Sequence, residues 1–113
     1  MGVFVRDLGT FVVVGEVPRR RRQALRVALD ELVAGRHPEM LTWVRKYGRS
    51  GTELLRQPDE IWSHRWTDYA ERSDGSAYGS LPLWTIDQSP SDLSVVFEIG
   101  VDGSAQLTDL RVL

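Results

Sequence analysis

His64 is the residue whose surroundings come nearest to chemistry. In the stretch from Ile61 to Tyr69 it stands between Trp62 and Trp66, with Asp68 four positions on. Three aromatics and a threonine favour a strand here, and on a strand Trp62, His64, Trp66 and Asp68 share one face. An imidazole between two indoles, its tautomer fixed by a carboxylate, is the outline of a general base. The competing account is an aromatic sheet face with a hydrogen-bonded histidine. It is favoured, because no nucleophile or second base is specified nearby. A helical start near Asp59 is the other local conformation these residues allow. The second histidine, His37, precedes Pro38 at the start of a helical pattern, where capping or an exposed loop accounts for it.

Other chemistries are poorly served. The chain has no cysteine, which removes disulfides, thiolate zinc sites and thiol nucleophiles together and suits a reducing, cytoplasmic setting. There is no Gly-x-Ser-x-Gly elbow, P-loop or dinucleotide fingerprint. His-x-Glu at 37–39 lacks the cysteine pair of a zinc deaminase, and no His, Asp or Glu cluster has metal spacing. Asp59-Glu60, or Asp68 with Glu71, could act as a glycosidase pair only beside a sugar cleft that a chain of 113 residues rarely supplies. Enzyme activity is therefore disfavoured, and no cofactor is expected.

Arg19-Arg20-Arg21-Arg22 is the sharpest local motif. Four guanidinium groups could grip phosphate, and the four tryptophans and three tyrosines could stack bases. A sequence pI near 5.6 argues against nucleic acid. Charge is unevenly placed: residues 1–49 hold ten Lys and Arg against five acids, and residues 50–113 hold four Arg against eleven acids. Arginines at a helix start oppose the helix dipole, so pairing with the acidic half is their simplest purpose. The same asymmetry leaves carboxylates for a basic partner.

These side chains need elements to hold them. Val3-Phe4-Val5 and Phe11-Val12-Val13-Val14 read as a strand or hairpin across Asp7-Leu8-Gly9. From Arg19 to Ala34, Leu25, Ala28, Leu29, Leu32 and Val33 fall on one helical face, with Pro18 before and Gly35 after. His37-Pro38-Glu39 opens a second helix carrying Met40, Trp43, Val44 and Tyr47, ended by Gly48. Arg49-Ser50-Gly51 is a turn, and Thr52 to Leu55 a further helical turn. Beyond Pro58 the pattern becomes β: Ile61 to Tyr69, a turn at Ser73-Asp74-Gly75-Ser76, Tyr78 to Ile86 with Pro82 implying an edge or bulge, then Leu93 to Ile99 in strict alternation. Asp102-Gly103 is the strongest hairpin turn, and Gln106 to Leu113 returns as a strand pinned inside the sheet. The whole predicts a single α+β domain over residues 1–113. Two helices in the N-terminal half pack on one face of a 3–5-stranded antiparallel sheet, cystatin-like or nuclear-transport-factor-like by analogy, with an extra N-terminal strand or hairpin. The opening residues lack a basic stretch before an apolar run, and no apolar run approaches the ~20 residues that cross a bilayer, so no membrane role is expected.

Tyr47-Gly48, Leu55, Pro58-Asp59-Glu60-Ile61-Trp62, Leu83-Trp84-Thr85, Ser91-Asp92-Leu93 and the ending Asp109-Leu110-Arg111-Val112-Leu113 resemble, in order and spacing, a family of small bacterial proteins carrying a domain of unknown function. The resemblance covers roughly residues 24–113, with the first 18 outside it. It implies an α+β domain and a bacterial source, and no activity. Read physically, Asp92 is positioned to accept backbone N–H bonds at a strand start, and Trp84 is a large apolar body with one donor.

The function expected from all this is a non-catalytic protein-binding module, such as a bacterial immunity-type protein that occludes a cognate toxin. The expected carriers are the carboxylates Asp68, Glu71, Asp74 and Asp87 with Trp62, Trp66 and Tyr69 as aromatic anchors. The alternative is a small-ligand pocket in a cone-shaped fold, lined by Trp43, Trp62, Trp66 and Trp84 with His64 as acid or base. A homodimer joined through an exposed sheet face is the third reading.

Overall fold

The structure is a computed structural model describing residues 3–5, 11–13, 15–47 and 51–112. Strands β1 (Val3–Val5) and β2 (Phe11–Val13) precede helices α1 (Arg19–Val33) and α2 (Pro38–Arg45). A 3-10 turn, Asp59–Trp62, leads to β3 (Asp68–Arg72), β4 (Ala77–Pro82), β5 (Leu93–Ile99) and β6 (Ala105–Val112). The strands lie in the order β1-β2-β3-β4-β5-β6, every neighbour antiparallel. The last four make the meander expected after the helices, and the N-terminal hairpin extends it beyond β3.

Helix α1 forms where the 3.6-residue period is cleanest. Its buried side chains are Leu25, Ala28, Leu29 and Leu32. Its end is dictated by Gly35, which takes φ +94°. Gly35 N–H donates to Leu32 and Arg36 N–H to Glu31, the paired bonds that close a helix through a left-handed residue. Helix α2 begins at Pro38, with His37 at the capping position but making no side-chain cap.

In the core, Leu25, Leu29 and Leu32 meet Leu81, Leu93, Val95, Phe97 and Ile99 on the inner sheet face. In the row Tyr69–Gly79–Phe97–Leu107, adjacent strands pair these positions. The Tyr69 and Phe97 rings stack at 6.4 Å across Gly79, which leaves room for both because it has no side chain.

The arginine run is fastened to the acidic half. Arg20 pairs with Glu71. Arg21 donates to the Gly75 carbonyl (2.7 Å) and to the Tyr69 hydroxyl (3.3 Å), and Arg22 to the Val17 carbonyl (2.9 Å). One turn on, Arg26 donates to the Gln57 carbonyl (2.6 Å) and to Asp59 (2.9 Å) while lying over the Trp62 ring. The unfavourable dipole position of Arg20 and Arg21 is thus offset by bonds to a segment 48–54 residues away.

Tyr69 gives this network a pH signature. Burial foremost, then donation of its hydroxyl to Glu71 (2.6 Å), pushes its pKa from 10.0 up to about 12. A raised folded value means that folding favours the neutral phenol. Its contribution is whole below pH 10 and is lost as pH rises towards 12. Absorbance titration should show a late-ionising step that Tyr69→Phe removes. Absence of that step in the folded protein would contradict the geometry.

Several expectations need correction. Ile61 to Tyr69 is not one strand: the alternative, a helical start near Asp59, is what forms, as a 3-10 turn over 59–62, and the strand begins only at Asp68. Pro58 fixes an extended residue before that turn, and buried Ile61 and Trp62 pull it against the core. Thr52 to Leu55 is extended rather than helical, with Leu54 bridged to Thr85. Pro82 is away from the bulge and lies past the last β3–β4 pair at Ser80, so it has a ladder partner on one side only, a local edge. It ends β4, an interior strand, opposite Ser94, and the register shift falls instead between Val96 and Phe97. β6 is not pinned inside the sheet but forms its edge. Asp7-Leu8-Gly9, Gly48, Arg49-Ser50 and Leu113 lie outside the described residues.

Candidate functional site

The His64 corner is built by the loop between the 3-10 turn and β3. Thr67, buried, ties this loop back by donating its hydroxyl to the Ile61 carbonyl and its N–H to the His64 carbonyl. The imidazole meets Trp66 edge-on at 5.2 Å and Trp84 at 5.6 Å. Its Nδ1 accepts the Trp66 backbone N–H (3.0 Å), so in the neutral ring the proton sits on Nε2. That bond occupies the position expected for Asp68, whose carboxylate is exposed at the start of β3. The one-face constellation fails for a local reason. The turn through residues 63–67 breaks the alternation on which it depended.

The nominated anchors separate. Trp62 and Tyr69 are buried core residues, so neither presents a ring to a partner; Trp66 is 37% exposed. Glu71 is held by Arg20 and the Tyr69 hydroxyl. Asp74 accepts the Ser76 N–H and hydroxyl in its own turn, and these bonds hold its carboxyl below the usual range. Asp87 accepts the Thr52 hydroxyl at 3.0 Å. Asp68 begins β3 and Asp74 follows its end, so the carboxylates do not converge.

The nominated pocket residues separate too. Trp84 is buried, His64 touches it, and Trp43 stands on α2. Around Trp43 lies a groove that the sequence did not foretell. It has a volume of about 380 Å³ and is lined by His37, Glu39, Met40 and Trp43 of α2 and by Leu107, Thr108, Asp109 and Leu110 of β6. A second hollow, about 340 Å³, continues along Thr42, Trp43 and Lys46. Trp43 is 55% exposed, an unusual position for an indole whose area would be worth burying. The signal in the sequence was Trp43 on the outer half of the α2 stripe, one turn ahead of Tyr47. A helix of 8 residues cannot bury a stripe that wide.

The segments carrying the quoted motifs are joined by buried polar side chains. Gln57, fully buried, donates Nε2 to the Leu55 (2.6 Å) and Trp84 (3.0 Å) carbonyls and accepts the Trp84 N–H on Oε1 (2.7 Å). Ser91 donates to the Leu83 carbonyl and accepts the Leu93 N–H. Ser91 thus does the work expected of Asp92, whose buried Oδ1 has no partner among the described residues, like Ser94 Oγ two positions on. No group of three or more His, Asp or Glu among the described residues could hold a metal, and no helix among them is long and apolar enough to cross a membrane.

Residues 14–113 match a family described as a domain of unknown function, DUF7668. The chain belongs to the DUF7668 family. The DUF7668 match begins ahead of α1, so the segment 14–23 that the resemblance left out, with the whole of the arginine run, is part of the family domain. No curated protein and no solved structure matches the chain.

Proposed function

We propose that this DUF7668 protein is a protein-binding module whose docking surface is the groove between α2 and the edge strand β6. One observation carries the reading: an exposed indole, Trp43, overhangs a groove of mixed polar and apolar lining beside a strand that, among the described residues, has no neighbour on its outer side. A free edge offers N–H and C=O groups in register, and an adjacent pocket selects the side chain, which is how sheets take up extended partner segments. The other openings lack that pairing of backbone edge and pocket.

The test is capture with the tagged chain from its host, with an untagged copy of itself co-expressed. Wild type should retain a stoichiometric protein, its own copy included, and Trp43→Ala should fold normally and lose it. Retention of the same proteins by the variant, or of none by either, would dispose of the groove.

A second reading keeps the immunity-type role, in which a bacterial toxin is covered. It is favoured by exposed Trp66 two residues from exposed Asp68. Trp66→Ala with Asp68→Asn would then weaken binding and Trp43→Ala would not.

A further inference from the structure

The free edge of β6 has a direction and a charge pattern that together choose an occupant. Leu83 N–H donates to the Leu93 carbonyl at 2.9 Å, so the backbone groups of Leu93, and of Val95 two residues on, turn towards β4. Their partners across the next ladder are Val112 and Leu110. In an antiparallel pair the residue opposite an outward-turned one is itself turned away, so Leu110 and Val112 aim their N–H and C=O groups at the open edge. A local contact agrees: the Leu110 N–H is held by the side chain of Asp109 at 2.8 Å, not by β5.

From this we infer that the occupant of the groove is a second copy of the chain, its β6 running antiparallel to the first about a two-fold axis at Leu110. This rests on the groove being a docking surface. The register follows from the charges. With Leu110 opposite Leu110 of the second copy, the hydrogen-bonding positions of both edges meet, and Asp109 of each copy lies opposite Arg111 of the other. Those are non-hydrogen-bonded sites, where side chains approach closest. Sliding by two residues one way sets Asp109 against Asp109, and the other way sets Arg111 against Arg111. Only the two-fold through Leu110 gives attraction, and it gives it twice, because an isologous contact repeats every pair.

Packing supports the same axis. Leu107, Leu110 and Val112 stand opposite Phe97, Val95 and Leu93 on the inner face, the face that α2 overhangs. The two Leu110 side chains therefore meet beneath the two Trp43 rings, and Val112, 51% exposed, is covered with them. The Asp109 carboxylate releases the Leu110 N–H to the facing strand and takes a guanidinium in its place. The register shift at Val96/Phe97 confines regular pairing to the C-terminal half of β6, so the dimer is short and concentration-dependent.

Light scattering coupled to size exclusion, over a dilution series, tests this. Wild type should pass from twice 12.8 kDa to the monomer mass on dilution. Asp109→Arg alone and Arg111→Asp alone each place like charges opposite one another and should weaken the dimer roughly tenfold or more. The double variant exchanges the charges and should restore it. Circular dichroism checks that each variant is folded. A monomer at every concentration overturns the inference, and so does a dimer indifferent to single charge reversals. If wild type is monomeric while Trp43→Ala still loses a captured protein, the groove stands and only its occupant was misassigned.

Discussion

Replacing Gln57 by leucine should lower the unfolding free energy by about 3 kcal/mol, although the side chain touches no ligand and keeps its volume. Gln57 acts as a piece of strand. Its amide accepts the Trp84 N–H and donates to the Trp84 carbonyl, as a neighbouring peptide group would, and also to the Leu55 carbonyl. Leucine leaves the Trp84 N–H buried without a partner, and a buried orphan costs about 1–3 kcal/mol. The two carbonyls lose a donor as well, though the Trp84 oxygen keeps the Leu55 N–H at 3.2 Å. Gln57→Glu separates the contributions. It retains an acceptor for Trp84 N–H, loses the donor, and adds a buried charge whose side-chain partners are all backbone groups, the Arg26 guanidinium being engaged on the residue's own carbonyl and on Asp59, so it should be worse than leucine near neutral pH and recover as acid neutralises it. Urea denaturation of the three proteins at two pH values provides the measurement. Equal stability of wild type and Gln57→Leu would mean that the amide contributes nothing net. The consequence is local: residues 53–57 and 84–86 would part, while α1 and β5–β6 keep their packing.

The parts of this fold legible in the sequence are those in which one periodicity runs unbroken. Helix α1 shows Leu25, Leu29 and Leu32 at helical spacing between Pro18 and Gly35, and β5 alternates Leu93, Val95, Phe97 and Ile99. Nothing in the surroundings competes with either pattern. The Asp102-Gly103 and Asp74-Gly75 turns were legible because their glycines take positive φ, +87° and +92°, that few residues adopt. The stretch from Thr52 to Thr67 departs from its local pattern because tertiary contacts decide its shape. Arg26 from α1 reaches its Gln57 carbonyl and Asp59 carboxylate, and Trp84 binds Gln57, and neither contact leaves a local period.

The same distinction explains the site. Trp62, Trp66 and His64 share a face only if residues 61–69 are extended, and the Thr67 hydroxyl on the Ile61 carbonyl holds them in a turn. Glu71 reads from the sequence as a free carboxylate, whereas the arginine run 51 residues earlier claims it. The groove at Trp43 depends on β6 being an edge, and strand order is a property of the whole sheet. Asp109 and Arg111 stand in the sequence only as part of the motif that ends the chain; the pairing proposed for them depends on the direction in which Leu110 turns its backbone.

Gly79→Ala should be the most damaging single-atom change in the sheet, lowering stability by about 3 kcal/mol or preventing folding. Propensity alone points the other way, since alanine in an element interior usually gains about 0.5–1 kcal/mol over glycine. Geometry outweighs it. A Cβ at position 79 would stand 2.0 Å from the Asp68 carbonyl oxygen and 2.8 Å from Phe97 Cζ. The first obstacle is backbone, so no rotamer relieves it, and β3 would have to move away from β4. The second is the edge of a ring already stacked on Tyr69. Ser80→Ala, one residue along on the opposite face, should be nearly neutral and serves as the control. Hydrogen exchange adds the location: in Gly79→Ala, amides of β3 should open while those shared by β5 and β6 stay protected, because the clash lies on the β3 side of the sheet. Should Gly79→Ala match wild type in thermal melting and exchange, the row Tyr69–Gly79–Phe97 is not paired as described. The stacking that buries the Tyr69 ring, and with it the late-ionising phenol, would then have no structural basis.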